Sequence, residues 1–589
     1  MIASVWFVST IILLILIWFI FRKKDISKRM LIAFIAFSII MQMYSYEIVS
    51  DFSILSNHWY YAYGFFIVLI LIYLCMIYFI YRNIRLYQAL NRNWDKIIYI
   101  GLIMMMLLFM IKFSTLESFW QDEIYQLTIC EECDSVFEVI KKYTTADAAP
   151  PLFAVISYVW YDIVPYGQKW LLLLCEIMVC IGIYFVALSG KLIKGKTMGI
   201  FSCIIAVTSG ILVLGCGYEF RQYALLFLTS AITLYLYIVR IRNKEKKSWA
   251  LLVLYGIFIA LLVYSFYLAV IICLGFFMVD IYLIIKKKIK PVSIVSYFIG
   301  GALFLPWAAA RYLGLKNIGV GVLPNSFWPE KPDPESIKHV LYYINSGDAT
   351  SVLLFTSGAA LIITLIVLQC FRKKSFNDEH ILCFSFLWIP FFYSAVIYIY
   401  STIINPSASL WVDRYFLCLL PYAILISAYS LTYFSNIMVN TISNSNQKIK
   451  RIAVVFFLSL FLLTYFGVNA AGNVIYDQTQ KHDPFREAAD WLVEETEITS
   501  NDVAVYVCKP NNQSMAWNEY YVSKKGKREK IKNLNPSDIS NKGYKKIYVF
   551  QPVLSYEEPF ESIKEGLKKN GYEIEEYNEE VNITVFTKD

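Results

Sequence analysis

Apolar runs of about 20 residues recur along most of this 589-residue chain, and no other feature restricts its fold as strongly. A helix of that length crosses the ~30 Å hydrocarbon core of a membrane and satisfies its own backbone polar groups there. The composition agrees, because 58% of the residues are hydrophobic and only 17% are charged. We therefore predict an α-helical polytopic membrane protein with about 14 transmembrane helices, at residues 3–21, 30–46, 59–81, 97–113, 168–189, 198–214, 222–240, 249–265, 266–285, 292–309, 352–371, 381–402, 414–435 and 452–468.

Clusters of Lys and Arg mark alternate loops between these spans. Because cytoplasmic loops of membrane proteins carry an excess of these residues, we place the basic side in the cytoplasm. The N-terminus, the loops 114–167 and 310–350 and everything after residue 468 then lie outside, in a multi-pass protein of the plasma membrane. The formal net charge of +8 belongs to loops that face anionic membrane lipids, so it indicates no nucleic-acid partner.

From residue 469 the sequence becomes polar, and short runs typical of strands alternate with helical patterns. The strand-like runs are DVAVYVC (502–508), KKIYVF (545–550) and NITVFT (582–587). We therefore predict a small soluble extracytoplasmic α/β domain at 469–589. It would follow a membrane domain at 97–468, which additional N-terminal transmembrane helices precede at 1–96.

The loop after the fourth predicted span is rich in carboxylates, although the chain otherwise avoids charge. Its motif WQDE contains Asp122 and Glu123, and the later run DAAPPLF contains Asp147 before two prolines. A carboxylate beside a dry interior is a stronger base, because desolvation raises its pKa. Taken alone, a run of charges more often marks a solvated outer face. The prolines open a short apolar segment, which we expect to lie along the outer surface as a helix.

The segment GYEFRQYALLFL brings charge to the outer mouth of the seventh predicted span. Glu219 and Arg221 stand two residues apart, and Tyr223 begins the apolar run. Such groups are either snorkelling anchors or an inward-facing site for a lipid phosphate, whose oxygens match the planar fork of arginine. A later run, RYFLCLLP, begins with Arg414 and Tyr415.

The order of these motifs, all on one side of the membrane, resembles the GT-C glycosyltransferases. The likeness covers about residues 97 to 510. It is nearest to bacterial enzymes of glycosyltransferase family 39, near the protein O-mannosyltransferases and the lipid A aminoarabinose transferases. Such enzymes take a sugar from a polyprenyl-phosphate carrier and transfer it outside the cytoplasm, usually with inversion. The resemblance implies that 97–468 is a GT-C-like catalytic domain and that the acceptor is a cell-envelope glycan, lipid or protein.

The resemblance also implies roles for the acidic residues. Asp122 is the expected general base for the acceptor hydroxyl, and Glu123 is expected to orient it. Asp147 matches a second acidic position, with a supporting or metal-binding role. Some relatives hold a metal with a histidine on a later helix, whereas the matching run VYSFYLAV has none. The sequence therefore assigns no metal ligand and no certain cofactor, and a divalent metal stays open.

For the basic and aromatic motifs, the resemblance implies contact with the carrier phosphate. Arg221 and Tyr223 are expected to hold that phosphate as charge builds on it, with Glu219 in support. Arg414 and Tyr415 are expected to line the same cavity.

Arg311 opens the outer loop 310–350, for which two interpretations stand. The loop is either a proline-rich connector or a lid over the donor cavity that brings Arg311 near the phosphate.

Two functions other than sugar transfer remain open on the sequence alone. A flippase for lipid-linked sugars would need no chemistry, but transporters typically show inverted repeats and broken helices, which the sequence does not display. A non-catalytic scaffold would leave Asp122, Asp147 and Arg221 scattered in space rather than around one cavity.

Overall fold

The structure of the chain is a computed structural model. It describes residues 93–145, 149–165, 167–243, 248–317, 329, 331–371, 377–441, 447–479, 485–494, 503–507, 544–551, 557–578 and 581–588. The predicted spans at 3–21, 30–46 and 59–81 lie outside these residues, and so does Asp147.

The described part of the chain is mainly helical. Its helices are α1 (Trp94–Phe113), α2 (Gln121–Glu132), α3 (Val136–Tyr143), α4 (Leu152–Ile163), α5 (Gln168–Lys194), α6 (Lys196–Val207), α7 (Gly210–Gly217), α8 (Tyr223–Arg242), α9 (Trp249–Ser265), α10 (Ala269–Ile285), α11 (Val295–Asn317), α12 (Pro334–Ile344), α13 (Ala349–Phe371), α14 (Asp378–Ile399), α15 (Leu420–Thr441), α16 (Gln447–Thr479), α17 (Phe485–Glu494) and α18 (Glu557–Lys569). A π-helical turn at Tyr400–Ile404 extends α14, and a 3-10 helix at Asp413–Leu419 leads into α15.

Among the described residues, eight helices are long and apolar enough to cross a membrane, so the chain is a multi-pass membrane protein. They contain α1, α5, α8, α11, α13, α14, α15 and α16. Two further predicted spans are the 17-residue helices α9 and α10. The extended backbone of Phe266 ends α9 and begins the short connection to α10. The total of about 14 spans stays a prediction. So do the domain limits, and α16 continues to Thr479, past the predicted boundary at 468.

The predicted span at 198–214 is broken into α6 and α7, which meet at an angle of 63°. At the break, the Thr208 hydroxyl donates back to the carbonyl of Ile204 at 2.8 Å, and Ser209 has an extended backbone (φ −86°, ψ 106°). An extended residue interrupts the helical hydrogen-bond ladder, and the hydroxyl bond competes with that ladder. Because α7 ends two residues before Glu219, the bend determines where this carboxylate lies.

Helices α5, α6 and α8 pack against one another at very short range. A Cβ added at Gly182 would lie 2.6 Å from the ring of Phe227 in α8, and one at Gly190 would lie 2.4 Å from Ser202 Oγ in α6. Small residues let membrane helices approach closely and gain packing energy. These crossings fix the relative positions of α6 and α8, and the charged segment at 218–222 lies between α7, which follows α6, and α8.

Three short helices, α2, α3 and α4, cover one end of the bundle, which we call the outer end. Ser135 caps α3 by accepting a hydrogen bond from the amide of Glu138 at 3.3 Å. Buried side chains of α3 and α4, including Val139 and Ala154, form a small core with Trp307 of α11. With 12 residues, α4 is too short to cross a membrane, as expected for a helix along the surface.

A four-stranded sheet ends the chain, in the order β1 (Val503–Val507), β2 (Lys546–Phe550), β4 (Ile583–Thr587) and β3 (Glu573–Asn578). Strands β1 and β2 are parallel, and the other neighbouring pairs are antiparallel. Ile563 and Leu567 of α18 pack against Ile547 and Val549 of β2. The strand-like runs of the tail coincide with β1, β2 and β4. The charged, exposed run EIEEYN of β3 lacked that pattern.

Helix α17 attaches this sheet to the outer end of the bundle. The amide of Phe485 donates to Ser118 Oγ at 3.1 Å, and the guanidinium of Arg486 donates to the carbonyl of Thr115 at 2.7 Å. The ring of Phe485 also packs edge-on against Phe550 of β2, with the centroids 5.6 Å apart. The sheet is therefore held against the loop that precedes α2.

Candidate active site

The motif WQDE forms the start of α2 at the outer end. Trp120 has an extended backbone and precedes the first helical residue, and its amide donates to Glu123 Oε2 at 3.0 Å. Acidic side chains are favoured in the first turn of a helix, because its N-terminus carries partial positive charge. The motif therefore fixes both Asp122 and Glu123 at a defined helix start.

Glu123 also links α2 to the charged segment before α8. Its Oε1 accepts a hydrogen bond from the amide of Phe220 at 2.5 Å, and the residue is only 2% exposed. Burial raises the pKa of this carboxyl well above its usual range, although the amides of Phe220 and Trp120 oppose the shift. We call this pair of bonds the Glu123 clamp. It brings the segment at 218–222 next to Asp122.

Removing the Glu123 clamp is expected to destabilise the protein. Glu123→Ala should lower the free energy of unfolding by about 2 kcal/mol, because the buried amide of Phe220 and the partly buried amide of Trp120 lose their acceptor. Glu123→Gln retains one carbonyl oxygen and should cost less. Glu138→Ala is the matched control, because Glu138 accepts a bond from the amide of Asp134 (2.8 Å) where water can replace it. Thermal unfolding of detergent-purified protein measures the stability of the three variants. An equal loss of stability in Glu123→Ala and Glu138→Ala would contradict the clamp.

Two arginines from separate parts of the chain converge on Asp122. Arg221 Nη1 lies 3.4 Å from Asp122 Oδ2 and donates to the Asp122 carbonyl at 3.0 Å. Arg414 Nη1 lies 3.5 Å from the same Oδ2, and its guanidinium stands 5.3 Å from the ring centre of Trp120. The two carboxylate distances are longer than those of a tight charged hydrogen bond, which is 2.7–2.9 Å in general. We call Asp122, Arg221 and Arg414 the acid–arginine cluster.

Glu219 lies beside this cluster. The residue keeps some exposure, but its Oε2 is sealed from solvent and has no hydrogen-bond partner among the described residues. Burial raises the pKa of Glu219 to about 7, against the effect of Arg414 and Arg221, whereas Asp122 and Asp477 add to the rise. Glu219 therefore changes charge near neutral pH, next to two permanent positive charges.

The two tyrosines of the motifs are placed differently from the arginines. Tyr223 begins α8 and is 1% exposed, within electrostatic range of Arg221 and Arg414. The carbonyl of Tyr415 accepts from the hydroxyl of Tyr393 at 2.7 Å, and its ring packs on Phe266 with the centroids 5.0 Å apart. Both rings thus belong to the packed interior next to the cluster. Their contact with a carrier phosphate stays a prediction.

Arg311 contacts a different element. From α11 it donates to the carbonyl of Tyr143 at 2.9 Å, at the C-terminal end of α3, where helix carbonyls lack partners. The hydroxyl of Tyr143 in turn donates to Gln126 of α2 at 3.1 Å. Arg311 therefore ties α11 to the short outer helices, and its expected role at the phosphate stays a prediction.

Three residues around the cluster were not predicted from the sequence. Trp120 belongs to the WQDE motif, but the motif does not predict its contact with Arg414. Asp413 lies next to Arg414 in the chain and pairs with Nδ1 of His339 on α12 at 2.9 Å. The negative charge of Asp477, in α16, acts electrostatically on Glu219 and adds to the rise of its pKa. Asp413 could have been noticed in the sequence as the acidic neighbour of Arg414, whereas the contacts of Trp120 and Asp477 depend on tertiary packing.

Metal binding has no support from the described residues, in which no group of three His, Cys, Asp or Glu side chains is arranged to hold an ion. Asp147 was the expected supporting acid, and it lies outside them.

Comparison with known proteins identifies the fold but no sequence relative. No protein-family profile matches the chain, and no curated protein matches it. Among solved structures, the chain is similar to ArnT from Cupriavidus metallidurans in the apo state. The TM-score is 0.52 at 10% identity, over 84% of this chain and 98% of that chain.

A second similar structure is the archaeal oligosaccharyltransferase AglB from Archaeoglobus fulgidus, in complex with an inhibitory peptide and a dolichol-phosphate. Its TM-score is 0.47 at 11% identity, over 78% of this chain and 70% of that chain. ArnT and AglB are both GT-C glycosyltransferases. The likeness to ArnT spans most of both chains, and it confirms the expected GT-C-like helical fold, though not the number of spans. The chain therefore has the GT-C membrane fold.

Proposed function

We propose that this protein is a membrane glycosyltransferase that moves a sugar from a polyprenyl-phosphate carrier to a cell-envelope acceptor. The observation that carries the proposal is the acid–arginine cluster, in which Arg221 and Arg414 converge on one oxygen of Asp122. This is the pairing that such a transfer needs: a base for the acceptor hydroxyl and cations for the departing phosphate. The GT-C fold supports the proposal at the level of architecture.

In this proposal the two arginines bind the carrier phosphate. Their distances to Asp122 Oδ2, 3.4 and 3.5 Å, leave room for closer contacts with an oxyanion. An arginine fork matches phosphate oxygens and stays charged at every physiological pH. The side chains are only 14% and 23% exposed, so their field at a bound phosphate is weakly screened.

Asp122 acts as the general base. It takes the proton of an acceptor hydroxyl while that oxygen attacks the anomeric carbon, and the bond from this carbon to the carrier phosphate breaks. The electron pair of the broken bond remains on the phosphate, where Arg221 and Arg414 stabilise the added charge. Attack from the face opposite the phosphate inverts the anomeric centre. The Glu123 clamp keeps Asp122 in place through α2.

The proposal includes a direction across the membrane. Lys191, Lys194 and Lys196 lie at the end of the bundle opposite the cluster, which we call the basic end. There they pair with the carboxylates of Asp95 and Glu379. By the positive-inside rule, the basic end faces the cytoplasm of the plasma membrane. The cluster and the C-terminal sheet are then extracytoplasmic, where lipid-linked sugars meet envelope acceptors.

One observation favours the alternative of a lipid-linked sugar flippase. Transporters often contain helices that are broken within the membrane, and α6 and α7 form such a broken span. The experiment that separates the two functions supplies wild type, in sealed vesicles, with radiolabelled polyprenyl-phosphate sugar and an envelope acceptor fraction. Transfer predicts that label moves from lipid to acceptor. Label that crosses the bilayer and stays on lipid supports the flippase and contradicts the proposal.

Ionisation of Glu219 is expected to control the affinity for the donor. Below its pKa of about 7 the carboxyl is neutral, and above it the negative charge offsets the two arginines. The dissociation constant of a polyprenyl-phosphate sugar, a diester of constant charge, should therefore rise by about tenfold from pH 6 to pH 8. Glu219→Gln should remove this dependence. Equal slopes in wild type and Glu219→Gln would contradict the assignment.

A further inference from the structure

A small cavity of about 40 Å³ opens to solvent at the basic end of the bundle, far along α8 from the acid–arginine cluster. It lies where α8 ends, α9 begins and the connection between α10 and α11 passes. Its polar lining consists of Arg240, Asn243, Ser248, Lys290 and Ser293, and its other lining residues are apolar. The cavity therefore combines hydrogen-bond donors with an apolar wall.

Arg240 is the buried member of this lining, with 6% exposure. Its guanidinium pairs with the carboxylate of Asp280, donates to the carbonyl of Ser293 at 3.3 Å and packs 4.7 Å from the ring centre of Tyr255. Its Nε is sealed from solvent and has no acceptor in the described part of the chain. Buried donors are rarely left without a partner, so among the described residues this nitrogen stands out as an unsatisfied donor.

Lys290 adds a positive charge to the described lining of the cavity. The charge of Arg240 is balanced by Asp280, whereas Lys290 is exposed and makes no ion pair within the described residues. Asn243, at the end of α8, adds an exposed amide on the other side of the opening. An anion at the opening would meet the ammonium group of Lys290 and the amide of Asn243.

The surroundings of the cavity are those of a membrane surface. Trp249 at the start of α9 is 52% exposed, and Ile285 at the end of α10 is 70% exposed. Exposed tryptophans are typical of the level of lipid headgroups, and exposed isoleucines of acyl chains. A ligand here would have a negatively charged head and apolar chains beside it.

We propose that this cavity binds the headgroup of an acidic phospholipid from the leaflet at the basic end. The phosphate lies at the opening between Lys290 and Asn243, in the field of the Arg240 guanidinium below it, and the acyl chains follow the apolar wall toward Trp249. Basic pockets between membrane helices bind anionic headgroups in this way. The site is separate from the proposed transfer chemistry and does not depend on it.

The test compares lipid retention by detergent-purified protein, measured by native mass spectrometry after exchange into phosphatidylglycerol or phosphatidylcholine. Wild type should retain phosphatidylglycerol preferentially. Lys290→Gln should lower that retention about fivefold, and Asn243→Asp, which places a negative charge in the opening, should lower it at least as much. Both positions are exposed, so the variants are expected to fold. Lys286→Gln is the matched control, because Lys286 lies in the same basic run but does not line the cavity.

The outcomes separate a specific site from general attraction. Unchanged retention in Asn243→Asp overturns the proposal, and so does an equal loss in Lys286→Gln and Lys290→Gln. Added inorganic phosphate that displaces the lipid from wild type at millimolar concentration would also overturn it, because the site would then recognise a free anion rather than a lipid.

Discussion

Asp122→Asn is expected to abolish sugar transfer while donor binding persists. General base catalysis contributes about 10²- to 10⁴-fold, and the amide cannot accept the proton of the acceptor hydroxyl. The donor should bind at least as tightly as in wild type, because the substitution removes a negative charge 3.4 and 3.5 Å from the two arginines. Transfer of radiolabel and equilibrium binding of a polyprenyl-phosphate sugar, measured on the same preparations, give the two quantities.

Asp134→Asn provides the control for Asp122→Asn. Asp134 lies in the same acidic loop, just before α3, and is exposed. Its substitution by Asn therefore removes the same charge as Asp122→Asn but leaves the cluster intact. Its transfer rate should stay within about twofold of wild type, as for most surface substitutions. Transfer by Asp122→Asn at the wild-type rate would remove Asp122 from the role of base.

Arg414→Gln is expected to weaken both donor binding and transfer. The arginine is proposed to contact the phosphate before the reaction and more strongly after charge develops, so the loss in the maximal rate should reach about 10²- to 10³-fold. Arg221→Gln should act in the same direction, with an added structural cost, because Arg221 also donates to the Asp122 carbonyl. Donor titrations at saturating acceptor separate the effect on binding from the effect on rate.

Arg311→Gln is the control for Arg414→Gln, because it removes an arginine that contacts a different element. In the structure this side chain closes the end of α3 through the carbonyl of Tyr143. It should therefore change thermal stability more than donor affinity. If Arg311→Gln weakens donor binding as much as Arg414→Gln does, the phosphate occupies a different position, and the interpretation of the loop 310–350 as a lid gains support.

Hydropathy was sufficient to predict the membrane fold, because burial in lipid requires long apolar helices whatever their order. Helix α5 and the predicted span at 168–189 begin at the same residue, for example. The break between α6 and α7 was not predicted. It depends on the extended backbone of one residue, Ser209, and on a single hydroxyl bond at Thr208, which average hydrophobicity does not detect.

The candidate site could be predicted in part, because its charged residues stand out in an apolar chain. Asp122, Arg221 and Arg414 were singled out by motif, and the structure brings each arginine within 3.5 Å of Asp122 Oδ2. The contact that brings them together could not be predicted from the sequence. The Glu123 clamp uses the backbone amide of Phe220, and almost any residue type at that position would supply the same amide. The partner of Arg311 is likewise a backbone carbonyl.

The most direct test of the acid–arginine cluster is an experimental structure of the protein in lipid with polyprenyl phosphate bound. We predict that the phosphate lies within hydrogen-bond distance of both Arg221 and Arg414, with Asp122 beside it and facing the acceptor side. Density for the phosphate between Lys290 and Asn243, or beside Arg311, with the two cluster arginines still paired to Asp122, would contradict this account of the transfer site.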